Sequence, residues 1–368
     1  MNVNRVLAVA LLAGTIIGAG IFSLPYLVSR MGLISGLFYF IFFGCVYYVI
    51  HRMYADLLLR SKDPHQFSFV AGCFLPRHAA KLLSNAVFLE LIFVLVVYLI
   101  LAPSFLSLLA PFSASGAVFL FWALGSLFLF ARLSWIGWAE FWGVVAILGI
   151  IGAILWKGWG APMLEPAFVP LDLAGVFLPI GPLLFSLSGR PAIAKVVEEW
   201  RKAESSGNPF QLSRAIALGT AIPVVLYALF VVGIILITPS PSPDAISGLG
   251  TLPLVFSVVL GVLGFLTLLT SYGMIAVNVR DTLRDDTRLG RWMALTIPIA
   301  VPPILYLLGV NEFLGALSFT GSIFLGLEGI AIVWMWRRAF PRHLQRWTTI
   351  PLFVVFFAAI FSEVIKHF

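Results

Sequence analysis

Gly14, Gly18 and Gly20 fall within seven residues of the apolar run Gly14-Thr15-Ile16-Ile17-Gly18-Ala19-Gly20-Ile21-Phe22-Ser23-Leu24-Pro25. That spacing suits chemistry done by the backbone rather than by side chains. Each glycine disfavours a helix by about 1 kcal/mol relative to alanine, and a proline closes the stretch, so a regular helix is not expected through it. At membrane depth a broken helix exposes N–H and C=O groups that only protein, water or a ligand can satisfy, which makes the break a candidate binding site. Gly14-x3-Gly18 also fits close packing of two helices through small residues. A second break would separate the readings. One is expected where Pro179, Gly181 and Pro182 precede Phe185-Ser186-Leu187-Ser188-Gly189-Arg190-Pro191.

The side chains that titrate are few. Glu90 and Glu328 lie deep in apolar runs, where a carboxyl serves either as a coupling or gating group or as a buried hydrogen-bonded structural one. Glu140 lies near Arg132, while Glu312 and Glu363 lie near run ends. Arg190 follows the second break directly and either helps to hold an acidic ligand or reaches the nearer surface. The five histidines have no second ligand at helical spacing, so no metal centre is expected. Two cysteines, Cys45 and Cys73, give neither a disulfide framework nor a cysteine-rich site. Gly18-Ala19-Gly20 lacks the third glycine and the preceding strand of a dinucleotide fingerprint. No nucleophile, base and orienting group converge, so no enzyme is expected.

The elements that must position these groups follow from composition. With 61% hydrophobic and 11% charged residues and a mean hydropathy of +1.05, the chain is expected to be an all-α integral membrane protein. Apolar runs bounded by charge or proline place eleven spans at about 5–29, 32–51, 80–102, 113–132, 136–156, 172–190, 212–237, 253–279, 291–308, 313–336 and 348–366. With the N-terminus cytoplasmic, twenty of the 23 basic residues fall in inner connections, so the C-terminus is expected outside and the location is a cell membrane. Basic residues set between apolar runs fit anionic lipid rather than nucleic acid. The connections at about 52–79 and 191–211 are too short for a soluble domain; the second reads as a short charged cytoplasmic helix ended by a turn. Spans one and six each carry breakers and run in opposite directions. This predicts a 5+5 inverted repeat, one unit at about 5–157 and the other at about 172–336, with an extra helix at about 348–366.

Gly14 to Tyr26, Pro182 to Gly189 and Thr270-Ser271-Tyr272-Gly273 resemble the first, sixth and eighth helices of amino acid permeases of the amino acid, polyamine and organocation superfamily. The aromatic and hydroxy amino acid permeases are nearest and the amino acid and auxin permeases next. The resemblance covers spans one to ten in order and implies a LeuT-type fold with discontinuous helices one and six. It departs at Gly189-Arg190, where a histidine is expected. What it implies is a secondary transporter that takes up an amino acid, aromatic or otherwise neutral, by alternating access. A sensor on the same fold without net transport is the alternative.

An amino acid carries a carboxylate and an ammonium. The amides around Ala19, Gly20 and Ile21 are expected to hold the first, and carbonyls of Ile16, Phe185 and Ser188 the second. Gly18, Ser186 and Gly189 complete the set, with Phe93, Tyr98, Ser318 and Phe319 as candidate walls for the side chain. No cofactor is implied beyond a coupling ion. Carbonyls of Gly14 and Ile17 with hydroxyls of Thr270 and Ser271 would give sodium four hard ligands, unless those hydroxyls bond within their own helix. The fifth span holds no lysine before Lys157, where the resemblance implies that proton-coupled relatives replace the ion; a proton on Glu90 is the rival, and Arg190 is a further candidate for coupling or gating. Oligomeric state is not legible.

Overall fold

A computed structural model describes residues 3–61, 67–130, 133–160, 173–207, 210–238, 240–249, 253–287, 290–341 and 343–366. These form helices joined by short connections, with no strand among the described residues. Each expected span coincides with a helical segment. Seven are long and apolar enough to cross a membrane: Leu33–Arg60, Arg77–Leu106, Gly175–Ser205, Leu212–Ile237, Leu254–Arg284, Phe313–Ala339 and Thr349–Lys366. An eighth is the pair Asn4–Ile16 and Ala19–Met31, whose halves bend by 49°. Ala114–Phe130, Trp142–Gly158 and Trp292–Leu307 are shorter apolar helices. The segments are numbered one to eleven in chain order below.

Segment one breaks where its glycines cluster. The helix Val3–Ile16 stops, Gly18 is extended (φ −143°, ψ −156°), and Ala19–Ser23 makes one 3-10 turn before Leu24–Met31. Pro25 starts that outer half, in a first turn where its missing N–H has no helical partner to lose. In segment six, Ile180–Leu187 ends at an extended Ser188 (ψ 127°), and the helix restarts as Arg190–Ser205 with Pro191 in its first turn. Pro179 merely separates Leu173–Phe177 from Ile180–Leu187.

Residues 191–205 depart from expectation. They are the second half of segment six rather than a surface link, because Ile193, Val196, Val197 and Ala203 form one buried stripe beneath the charged face. This half packs against Val3–Ile16 and Leu33–Arg60. Segment two likewise runs on to Arg60, and the connection after it holds a short helix, Phe67–Phe74. Segment one packs on segment seven, segments five and three pack on segment eight, and the first half of six meets segment ten. Segment ten carries a π-helical turn, Thr320–Leu325. It packs so closely on six that a Cβ at Gly321 would sit 2.7 Å from the Gly181 carbonyl carbon. Large exposed apolar residues such as Phe38, Ile41, Phe119 and Phe357 form the surface suited to lipid.

Candidate functional site

Both breaks open onto one cavity of about 460 Å³. Gly14, Ile16, Ile17, Gly18, Ala19 and Gly20 line it from segment one, and Phe185, Ser188 and Arg190 from segment six. Among the described residues, the amide of Gly20 makes no backbone hydrogen bond, nor do the carbonyls of Gly14, Ile17, Phe185 and Ser188, while the Gly18 amide is met by the Tyr227 hydroxyl. Each such group left unpaired costs about 1–3 kcal/mol, so the chain carries this cost where a ligand can relieve it. Three expected site residues stand back from the cavity. Ile21 is buried, the Ser186 hydroxyl donates to the Pro182 carbonyl at 2.7 Å, and Gly189 lies against Leu12 and Ile16.

Tyrosines satisfy the remaining freed groups. The Tyr227 hydroxyl, in segment seven, lies 2.7 Å from the Ile16 carbonyl and 2.8 Å from that of Ser186, so one donor ties the two breaks together. Ile16 is thus already engaged here. Tyr47 donates to the Leu184 carbonyl at 2.5 Å, and the Ala19 amide donates to the Tyr98 hydroxyl at 3.3 Å. Tyr47 and Tyr227 were not expected from the sequence. The available signal was a tyrosine in mid-span, away from the interfacial belts where the residue is usually enriched.

A buried charge cluster follows the second break. Arg190 Nε lies 2.5 Å from Glu328 Oε2 and its Nη2 3.7 Å from Glu90 Oε2, while the guanidinium sits 5.2 Å from the centre of the Phe67 ring. All three ionisable residues are buried. Arg190 therefore neither reaches the surface nor stands free for an acidic ligand; two carboxylates already hold it. The other carboxylates have local tasks. Glu312 accepts from the Leu314 and Gly315 amides and caps the start of segment ten. Glu363 accepts from Ser318 at 2.8 Å and pairs with Lys366 at 3.0 Å, tying segment eleven to ten. The Glu140 side chain and Arg132 lie outside the described residues.

Of the four expected wall residues, only Tyr98 faces the cavity. Phe93 packs on Phe319 (5.4 Å) and Phe324 (5.2 Å) instead, and Ser318 is taken up by Glu363. The apolar wall comes from Leu91, Val94, Val144, Ile147, Met274 and Leu325. Thr270 and Ser271 line the cavity together with Gly14 and Ile17, and the Thr270 hydroxyl donates to the Thr267 carbonyl at 3.0 Å.

Lys195, Glu198 and Asp281 line the mouth of the cavity. Phe22, buried just after the segment-one break, packs edge-on against Phe105 (5.0 Å) and Phe230 (5.6 Å) and makes an aromatic seal between segments one, three and seven. Beyond the seal, Asp244 in the connection after segment seven accepts from Ser104 at the end of segment three. It also accepts from the hydroxyls of Ser242 (2.6 Å) and Ser247 (2.5 Å) and the Ser247 amide (3.1 Å). Burial alone would push this carboxyl up, but those bonds outweigh it and hold it below the ordinary aspartate value.

Residues 2–233, more than half of the chain, match the family described as transmembrane amino acid transporter protein. No curated protein matches. Mhp1, a nucleobase-cation-symport-1 family transporter solved closed with bromovinylhydantoin bound, is 13% identical with a TM-score of 0.62, over 98% of this chain and 90% of that one. A manganese transporter from Eremococcus coleocola, solved with an aromatic bis-isothiourea compound, is 13% identical with a TM-score of 0.63, over 98% and 85%. The inward-facing conformation of Mhp1 gives 13% and 0.60, over 99% and 89%. These likenesses are of fold, the all-helical LeuT-type transporter architecture. Together with the apolar segments, the family match makes the chain a multi-pass membrane transporter and not an enzyme: it belongs to the transmembrane amino acid transporter protein family.

Proposed function

We propose that the chain takes up a neutral amino acid by alternating access around the two helix breaks. The observation that carries this reading is the pair of opposed breaks with the unpaired Gly20 amide on one side of the cavity and unpaired acceptors on the other. The Gly20 amide, flanked by Ala19 and Ile21, takes the carboxylate at the positive end of the outer half-helix, and the Gly18 amide joins it when Tyr227 releases it. The Phe185 and Ser188 carbonyls take the ammonium, and Ile16 joins them when Tyr227 releases it. The side chain lies on the apolar wall, which favours an aromatic or aliphatic ligand over a charged one. Arg190 supports the same choice, since its charge is already met.

The clustering of basic residues supports a cytoplasmic N-terminus and an external C-terminus in a cell membrane. In that orientation the Phe22 seal is outside and the open mouth inside. The repeats of about 5–157 and 172–336 rock against one another, with the helix of about 348–366 braced on segment ten. A cation gradient drives the cycle. Sodium would be held by Gly14, Ile17, Thr270 and Ser271, and a proton by Glu90 with Arg190.

Uptake of each of the twenty labelled amino acids into proteoliposomes tests the reading. Gradient-driven accumulation of one or a few neutral amino acids is the expected result. Saturable binding without flux would make the chain a sensor instead, and neither binding nor flux for any amino acid would overturn the substrate class.

A further inference from the structure

Two carboxylates face one guanidinium at the inner edge of the cavity. Counted as charges, Glu90, Arg190 and Glu328 sum to minus one when all are ionised, and the three residues are 5%, 8% and 3% exposed. The pairing is uneven. Arg190 Nε is in close contact with Glu328 at 2.5 Å, while its Nη2 stands 3.7 Å from Glu90. Glu90 Oε2 has no hydrogen-bond donor among the described residues, yet it and the Glu328 carboxyl share the one Arg190 guanidinium. Two buried carboxylates around a single guanidinium leave one negative charge unmatched unless one of them carries a proton. Glu90 lines the cavity, whereas Glu328 stands behind Arg190 on segment ten.

We propose that the Glu90–Arg190–Glu328 cluster is the coupling site, taking up one proton per transport cycle, and that the chain is a proton–amino acid symporter. The inference rests on the reading above for its substrate, and deepens it by assigning the ion. Arg190 is the first residue of the inner half of segment six, and Glu328 lies on segment ten, so the cluster crosses a contact that must change when six moves. With one proton shared between the carboxyls the cluster is neutral and tolerates a closed, dry site. In the inward-open state the Glu90 O–H bond breaks, its proton passes to water in the cavity, and a carboxylate remains. Return to the outward state restores the O–H bond with a proton taken from the outer solution.

Few other groups act on this exchange. Tyr47 and Tyr54 face the cluster from segment two and the Phe67 ring faces it from the following connection. Lys195, Glu198 and Asp281 stand nearer the cavity mouth.

The test uses the full chain in proteoliposomes, with an equimolar mixture of the twenty labelled amino acids as probe. Two gradients are compared at clamped membrane potential, acid outside or sodium outside. One proton per substrate lets a one-unit pH gradient sustain up to about tenfold accumulation. The expected result is accumulation approaching tenfold with the pH gradient and none with sodium alone. Glu90→Gln and Glu328→Gln are expected to fall to onefold while still exchanging labelled for unlabelled amino acid across the membrane. Accumulation driven by sodium at equal pH, or undiminished in both variants, overturns the inference while leaving the amino acid reading intact.

A substrate-independent arm covers the other case. Infrared difference spectra of the purified wild-type protein are expected to show a protonated carboxyl band that disappears on alkalinisation and is missing from Glu90→Gln or Glu328→Gln. A spectrum without a titrating carboxyl band, or one unchanged in both variants, overturns the inference even if no amino acid is exchanged.

Discussion

The two interrupted segments meet the same backbone problem with different chemistry. At segment one the freed groups are met by neutral hydroxyls, Tyr98 for the Ala19 amide and Tyr227 for the Gly18 amide and the Ile16 carbonyl, while the Gly20 amide and the Gly14 and Ile17 carbonyls have no backbone partner. At segment six the break leads straight into Arg190 and two buried carboxylates. Fixed dipoles cannot change their charge, so the first break suits a ligand that brings its own charges. The second break holds groups that can gain or lose a proton, so it suits the step at which energy enters.

The largest expected effect breaks the charged side of that contrast. Arg190→Met leaves Glu90 and Glu328 buried without their counterion, and about 3–5 kcal/mol of stability is expected to be lost. The midpoint of denaturant unfolding in detergent reads this, and an unchanged midpoint would mean the cluster is not held by its charges. On the neutral side, a Cβ at Gly20 would stand 2.7 Å from Ser186 Cα, a backbone atom that cannot yield. Gly20→Ala is expected to cost about 1–3 kcal/mol and most of the uptake. At Gly18 the same Cβ meets the Tyr98 hydroxyl at 2.7 Å, so adding Tyr98→Phe to Gly18→Ala is expected to recover uptake. Failure to recover would show that the ligand itself needs the space.

Tyr227→Phe removes the donor that joins the two breaks and leaves the Ile16 and Ser186 carbonyls without it, at about 2 kcal/mol. A variant as stable as the parent would separate the two regions energetically. The smallest effect concerns the outer seal. Asp244 has a depressed folded-state value, so its stabilisation is full above the unfolded aspartate value of about 4 and fades as pH falls through the folded one. Asp244→Asn is expected to cost about 1 kcal/mol at neutral pH and progressively less in acid. A cost independent of pH would contradict the role given to the carboxylate.

The first break was readable because glycine spacing is local: Gly14 to Pro25 marks it within a residue or two. The second was readable as a region from Pro179 to Pro191 that includes Ser188–Gly189, where the helix stops; prolines at both ends of that region do not single out the residue. The second half of segment six looked like a surface link because its lysines and glutamates mask the stripe from Ile193 to Ala203. Partnerships across the bundle were not readable at all. Arg190 and Glu328 are 138 residues apart, and Tyr227 and Ile16 are 211 apart. Only the packing of segments brings them together. Ser318 and Phe319 were misplaced for the same reason: their partners, Glu363 and Phe93, come from other segments.

Competition between uptake of each amino acid and its own derivatives tests the division between the breaks most directly. If the Gly18 and Gly20 amides hold the carboxylate and the Phe185 and Ser188 carbonyls the ammonium, the carboxamide and the N-acetyl forms are each expected to compete at least about tenfold more weakly than the parent. That corresponds to the loss of a hydrogen bond to a charged group, about 1.5–3 kcal/mol. A carboxamide or N-acetyl form that competes as well as the free amino acid would contradict it.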